Sequence, residues 1–187
     1  IIPSRGRPQN WQRLSQLLPD AILCVDGREQ AAYAEVPNAH LWWHPPTSTI
    51  GQVRAWIIEN AKWPCVVMVD DDFNGIRPLV GERRQKIVDP VAIEQVMHNG
   101  YQVASDLGLS AFGWNRNPNP VMFRPFDCIG LVGPLCGAFG VIGNKFMFDR
   151  SLLHDEDCDF TLRVLMDERV CFCDNRYYFD FGAIMAG

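Results

Sequence analysis

The sequence predicts an α/β sandwich. Short apolar runs alternate along the chain with segments of helical periodicity. One run, Cys65-Val66-Val67-Met68-Val69, is apolar at every position, as expected of a strand covered on both faces. No internal repeat or low-complexity block interrupts the alternation.

Each element has its own warrant. Ile1-Ile2 runs as a strand into the Pro- and Gly-rich turn Pro3-Ser4-Arg5-Gly6-Arg7-Pro8. Residues 10–18 place Trp11, Leu14, Leu17 and Leu18 at helical spacing. Ala21–Val25 reads as a strand closed by the turn Asp26-Gly27. Pro45-Pro46 stops any regular element after Leu41-Trp42-Trp43-His44. Thr49 and Gln52 form a capping box for a helix over 49–61, with Ile50, Val53, Ile57 and Ala61 on one stripe. Asp89-Pro90 supplies an N-cap and N1 proline for a helix that runs to Gly108, and Gly100 on its apolar stripe predicts close packing on the sheet. Residues 113–125 read as a long loop. Strands are expected near 128–132, 137–142 and 170–173, and a helix over 160–166.

Composition sets bounds. The 187 residues suit one domain, at roughly 150 residues per domain. Apolar residues at 48% and charged residues at 21% exclude a mainly disordered or collagen-like chain. Lys and Arg number 17 against 22 Asp and Glu, a net charge of −5. That excludes gripping nucleic acid by bulk charge but leaves room for a local basic patch. No run of 18 apolar residues exists, so no transmembrane helix and no membrane partner is expected, and the absence of a signal-peptide layout points to the cytoplasm. The seven cysteines lie in apolar stretches and read as buried thiols of a reducing compartment; Cys171 and Cys173 are not at zinc spacing. The chain opens inside an apolar run without Met, which reads as ends that are trimmed or disordered.

The chemistry concentrates in two acidic clusters. Asp70-Asp71-Asp72 follows the apolar run directly, at the strand end where α/β folds bind ligands. Adjacent carboxylates repel unless a cation lies between them, and Mg²⁺ or Mn²⁺ is the natural partner. Asp70-x-Asp72-x-Asn74-Gly75 opens like a calcium loop, but the twelfth position is Gly81 and Glu82 comes one residue late. A haloacid-dehalogenase Asp-x-Asp fits poorly, because Asn74 replaces the usual Thr or Val. The second cluster, His154-Asp155-Glu156-Asp157-Cys158-Asp159, opens a helix and complements its dipole. Four acids exceed what capping needs, so one is a candidate general base. His154 is a candidate metal ligand, and Arg163 is placed to pair with one of the acids.

Taken in order, Pro3-Ser4-Arg5-Gly6-Arg7-Pro8, the Arg54 helix, Val67-Met68-Val69-Asp70-Asp71-Asp72, and Gly137-Ala138-Phe139-Gly140 with the second acidic cluster resemble a GT-A glycosyltransferase. More narrowly the chain resembles the TET-associated glycosyltransferases, which are mostly phage-encoded. The resemblance spans residues 1 to about 182 and implies a GT-A-like (Rossmann-like), mixed, mostly parallel central sheet flanked by helices. It implies one glycosyltransferase domain over 1–187, with the nucleotide-sugar part near 1–75 and the acceptor part near 76–187. It implies a nucleotide-sugar donor, such as a UDP-sugar, and Mn²⁺ or Mg²⁺ at Asp70 and Asp72. Pro3, Ser4, Arg5, Arg7, Arg54, Asp70 and Asp71 would line the donor pocket, with Gly137 and Ala138 in a floor of small residues that runs on to Gly140. Asp157 or Glu156 would take the acceptor's proton. The implied acceptor is 5-hydroxymethylcytosine, or a related hydroxymethylated pyrimidine, in DNA within the host cytoplasm. Arg77, Arg83, Arg84, Lys86, Arg116 and Arg124 with Trp114 and Phe123 would form the basic and aromatic contact face. A glycan or small-molecule acceptor, or a non-catalytic binding module, stays open. One departure is that Ala183–Gly187 carry nothing like the closing C-terminal loop of many such enzymes, so the expectation is that the tail is missing or that His154 or another residue replaces it.

Overall fold

The computed structural model describes residues 1–80, 85–115, 117, 119 and 127–181. Among these, β1 (Ile2–Ser4), β2 (Ile22–Asp26) and β3 (His40–His44) form a parallel sheet in that order. A second, mixed sheet contains β4 (Cys65–Val69), β5 (Phe73–Pro78), β6 (Ala111–Asn115), β7 (Ile129–Gly130), β8 (Ala138–Ile142) and β9 (Phe172–Phe181). Its order is β4-β8-β6-β9-β5, with β7 against β9 and only β6–β9 parallel. Val69 N–H donates to the Ile1 carbonyl at 3.1 Å, and the Ile1 nitrogen to the Val67 carbonyl at 2.7 Å. These bonds lay β1 beside β4, so the two sheets run together. From β1 the chain steps outward through β2 to β3, then returns to β4 on the other side of β1. That reversal is a topological switch point, where a crevice opens beyond the strand ends.

Helices α1 (Trp11–Leu17), α2 (Gln30–Ala34), α3 (Ile50–Asn60), α4 (Pro90–Asp106) and α5 (Glu156–Glu168) connect the strands. Val66 and Met68 of β4 face a core with Val53, Ile57 and Ile58 of α3 and Phe160 and Val164 of α5. Val67 and Val69 face the opposite core, with Trp11 and Leu14 of α1 and Ile93 and Val96 of α4. Burial on both faces explains why β4 has no polar position. The caps form as expected. Thr49 Oγ1 accepts from Gln52 N–H, and Asp89 accepts from Ala92 N–H. Gln52 Oε1 closes the box on Ser48 N–H at 2.8 Å, one residue before the cap. Gly100 packs as expected, since a Cβ there would stand 3.1 Å from the Phe112 ring. Arg163 pairs with Asp159 at 2.7 Å and Asp149 at 2.9 Å.

Pro45-Pro46 ends strand β3 at His44, as expected. Two expectations are corrected. Gly113, Trp114 and Asn115 belong to β6 rather than to a loop, because Trp114 stacks on Phe179 in the core and Gly113 admits Leu135. The last strand extends to Phe181, past the polar Asp174-Asn175-Arg176; Asp174 is stabilised there by Arg176 at 2.7 Å. The strand Phe73–Pro78 also removes the calcium-loop geometry.

Candidate active site

A cleft of about 380 Å³ opens at the switch point. Pro3, Ser4, Arg5 and Arg7 line it from the end of β1, Asp70, Asp71 and Asp72 from the end of β4, and Arg54 from α3. Gly137 and the first residues of α5, Glu156 and Asp157, complete it. Residues far apart in sequence meet here because parallel strands end on one edge of the sheet.

The aspartate triplet divides its labour. Asp71 is buried and accepts from Ser4 Oγ at 2.7 Å and from Arg7 at 2.9 Å. Ser4 in turn accepts from the buried Tyr33 hydroxyl at 2.7 Å, and that hydroxyl accepts from Arg7 N–H at 3.1 Å. Below the turn, Asn10 and Arg13 of the α1 region donate to the carbonyls of Asp71 and Phe73. Asp71 thus locks the first turn to the triplet. Asp70 donates its backbone N–H to Gly137 at 2.8 Å and accepts from Arg54 Nη2 at 2.8 Å through one carboxylate oxygen. Burial pushes the carboxyls of both Asp70 and Asp71 above the usual range; Arg54 opposes this at Asp70, and Ser4 and Arg7 at Asp71. Asp72 lines the cleft with no hydrogen bond or ion pair to a described residue.

Arg54 is the electrostatic centre. It is 4% exposed, and its Nη1 donates to Glu156 Oε1 at 2.6 Å. Its guanidinium lies 5.2 Å from the Phe139 ring centroid, and its Nε is buried without a partner. Glu156 is therefore the counter-ion of Arg54. Asp157, the next residue, accepts Cys158 N–H at 2.8 Å with one oxygen and lines the cleft.

The floor is shared between ligand space and core. Gly137 adopts a positive φ of 68°, and a Cβ there would meet Phe181 at 2.6 Å. Ala138 and Gly140 sit in β8, where the Phe112 ring occupies the space beside Gly140. Gly137 lines the cleft, while the small size of Gly140 admits the Phe112 ring.

Other expected residues fall elsewhere. His154 is exposed and does not line the cleft. Trp114, expected at a nucleic-acid face, is 5% exposed between Phe112 and Phe179, leaving no ring face for a base. Arg77 and Lys86 both pair with Asp180, at 3.0 Å and 2.8 Å. Arg83, Arg84, Arg116, Phe123 and Arg124 lie outside the described residues. Sequence reasoning missed His44, Thr47 and Tyr33. His44 and Thr47 flank the double proline, a faint signal; Tyr33 carries none.

The sequence profile of the TET-associated glycosyltransferases matches residues 1–187. The chain belongs to this family. No curated protein matches it in sequence. Among solved structures, TarS 1-349 from S. aureus is similar at 12% identity and a TM-score of 0.55, covering 95% of this chain and 58% of that one. The same protein in complex with UDP-GlcNAc is similar at 12% identity and a TM-score of 0.56, covering 96% and 56%. The chain thus spans somewhat over half of TarS 1-349, and at this identity the likeness is one of fold: the GT-A-like α/β architecture expected from the sequence. No helix among the described residues is long and apolar enough to cross a membrane.

Proposed function

We propose that this chain acts as a glycosyltransferase and moves a sugar from a UDP-sugar to the hydroxymethyl group of 5-hydroxymethylcytosine, or a related hydroxymethylated pyrimidine, in DNA. The observation that carries the reading is the meeting of the Ser4–Arg7 turn, Asp70–Asp72 and Glu156-Asp157 in one cleft of a chain from this family. The structure of TarS with UDP-GlcNAc supports the donor class. Residues 1–75 supply most of the donor wall, and 76–187 the acceptor side.

The residues suit a divalent cation. Asp72 is unoccupied by other groups, and Asp70 retains one carboxylate oxygen beside the one on Arg54. No three ligand-type side chains cluster among the described residues. Mg²⁺ and Mn²⁺ need only one or two carboxylates when phosphates and water complete the shell, so Asp70 and Asp72 fit. His154 is not needed in this set. Such an ion, when bound, neutralises charge on a departing diphosphate.

Arg5 and Arg7 are exposed cations at the cleft mouth and attract the diphosphate. Asp157 turns its other oxygen to the acceptor hydroxyl. It takes that proton as the acceptor oxygen bonds to the sugar's C1 and the C1–O bond to the diphosphate breaks. Glu156 holds Arg54, and Arg54 holds Asp70.

The test is nucleoside mass spectrometry of 5-hydroxymethylcytosine DNA incubated with the protein, Mn²⁺ and nucleotide sugars. The expected result is a hexose-type mass gain that Asp157→Asn and Asp72→Asn abolish. Release of UDP without a mass gain refutes the DNA acceptor. It would favour a glycan or small-molecule acceptor, a reading supported by the pairing of Arg77 and Lys86 with Asp180 and by the burial of Trp114.

A further inference from the structure

The cleft carries one polar group that neither the charge pattern nor the acidic clusters account for. His44 ends β3, lines the cleft and is 4% exposed. Its Nδ1 lies 2.7 Å from the Pro45 carbonyl oxygen. A carbonyl only accepts, so Nδ1 carries a proton and Nε2 of the neutral ring is an acceptor. Nε2 has no hydrogen-bond partner among the described residues, yet it is not among their buried atoms sealed without one, which are Arg54 Nε and Trp114 Nε1. Its remaining opening is the cleft. The ring is fixed from behind, 6.0 Å from Trp56, which packs 4.6 Å from Trp42.

The neighbouring strand end offers no competing acceptor. The Asp26 carboxylate is occupied by Arg28 N–H, Nε and Nη2 and by Thr47 N–H. Among the charged residues of the cleft, Arg5, Arg7, Asp70 and Asp72 suit phosphate and cation. His44 and Thr47 add uncharged polar groups to the same wall.

We infer that His44 reads the nucleobase of the donor: Nε2 accepts a hydrogen bond from an imide N–H. Uracil presents that group at N3, whereas cytosine has a bare acceptor there. This rests on the UDP-sugar reading and adds the residue that selects the base. His44 touches substrate but takes no part in bond making.

The experiment is calorimetric titration of the protein with UDP, CDP and 2′-deoxy-UDP in the presence of Mn²⁺. Wild type is expected to bind UDP about 10-fold more tightly than CDP, the size of one unpaired buried polar group. His44→Phe should bring the two within about 2-fold, chiefly by weakening UDP, and His44→Gln, which keeps an acceptor oxygen, should retain part of the preference. Several results overturn the assignment: equal affinities in wild type, an unchanged UDP preference in His44→Phe, or an equal loss for both nucleotides. A loss with 2′-deoxy-UDP that matches the His44→Phe loss overturns it in favour of the ribose hydroxyl. Failure of wild type to bind either diphosphate overturns the donor reading itself, and the assignment with it.

Discussion

Removing the Arg54 guanidinium tests the electrostatic architecture most directly. Arg54→Met keeps an apolar stem between Phe139 and Phe148 but leaves Glu156 without its cation. The Glu156 side chain is 11% exposed, so water replaces the lost partner poorly. Breaking such a buried pair costs about 3–5 kcal/mol. The Asp70 arm adds less: the protein around Asp70 desolvates its carboxyl, but the side chain is still 38% exposed at the cleft, where water screens the pair. At about 2–4 °C per kcal/mol for a domain of this size, the expected drop in Tm is roughly 6–20 °C. Glu156→Gln should cost less, because Arg54 keeps Asp70. The double variant Arg54→Met/Glu156→Gln removes the stranded charge and should be more stable than Arg54→Met alone, with a coupling of about 1–3 kcal/mol. Urea and thermal melts of the four proteins form the cycle. A loss below about 1 kcal/mol in Arg54→Met, or a coupling within about 0.5 kcal/mol of zero, would refute the claim that this pair is buried and mutually dependent.

Other outcomes follow from the same contacts. Asp157→Asn is expected to lower kcat by about 10²–10⁴ with donor affinity nearly unchanged, read by steady-state kinetics and UDP titration; a loss confined to KM would remove Asp157 as the base. Gly140→Ala drives a methyl into the Phe112 ring and should destabilise by about 1–3 kcal/mol or more in a denaturant melt. Trp114→Ala should cost about 3–5 kcal/mol of stability, while any DNA affinity of the folded fraction stays unchanged in a gel shift. Asp26 is held well below the usual carboxylate range by Arg28. A depressed carboxyl stabilises the fold above its unfolded value near pH 4 and loses that contribution as pH falls through the folded value. The Tm gap between wild type and Asp26→Asn should therefore be constant from neutral pH down to about pH 5 and narrow in stronger acid. A gap that widens there would contradict the assignment.

Much of the scaffold was legible along the chain. The β4 run, the Thr49 and Asp89 caps and the helical stripe through Gly100 are short-range patterns, and each formed where its residues placed it. Strands β3, β5 and β6 were not legible in this way. They contain His40, Asn74, Gly75 and Gly113, and they are strands because neighbouring strands complete their hydrogen bonds. Trp114 shows the same limit for function: next to Asn and Arg it resembles a stacking residue, and only its packing against Phe179 places it in the core.

The acidic clusters and the early Ser-Arg turn were recognisable from sequence because strand ends and helix starts carry local signatures. What each acid does was decided in three dimensions. Asp71 belongs to Ser4 and Arg7, Glu156 belongs to Arg54 across 102 residues, and Asp72 and Asp157 line the cleft. A carboxylate's role depends on which cation and how much water reach it. Residue spacing says nothing of either until the crossover between β1 and β4 brings the strand ends together.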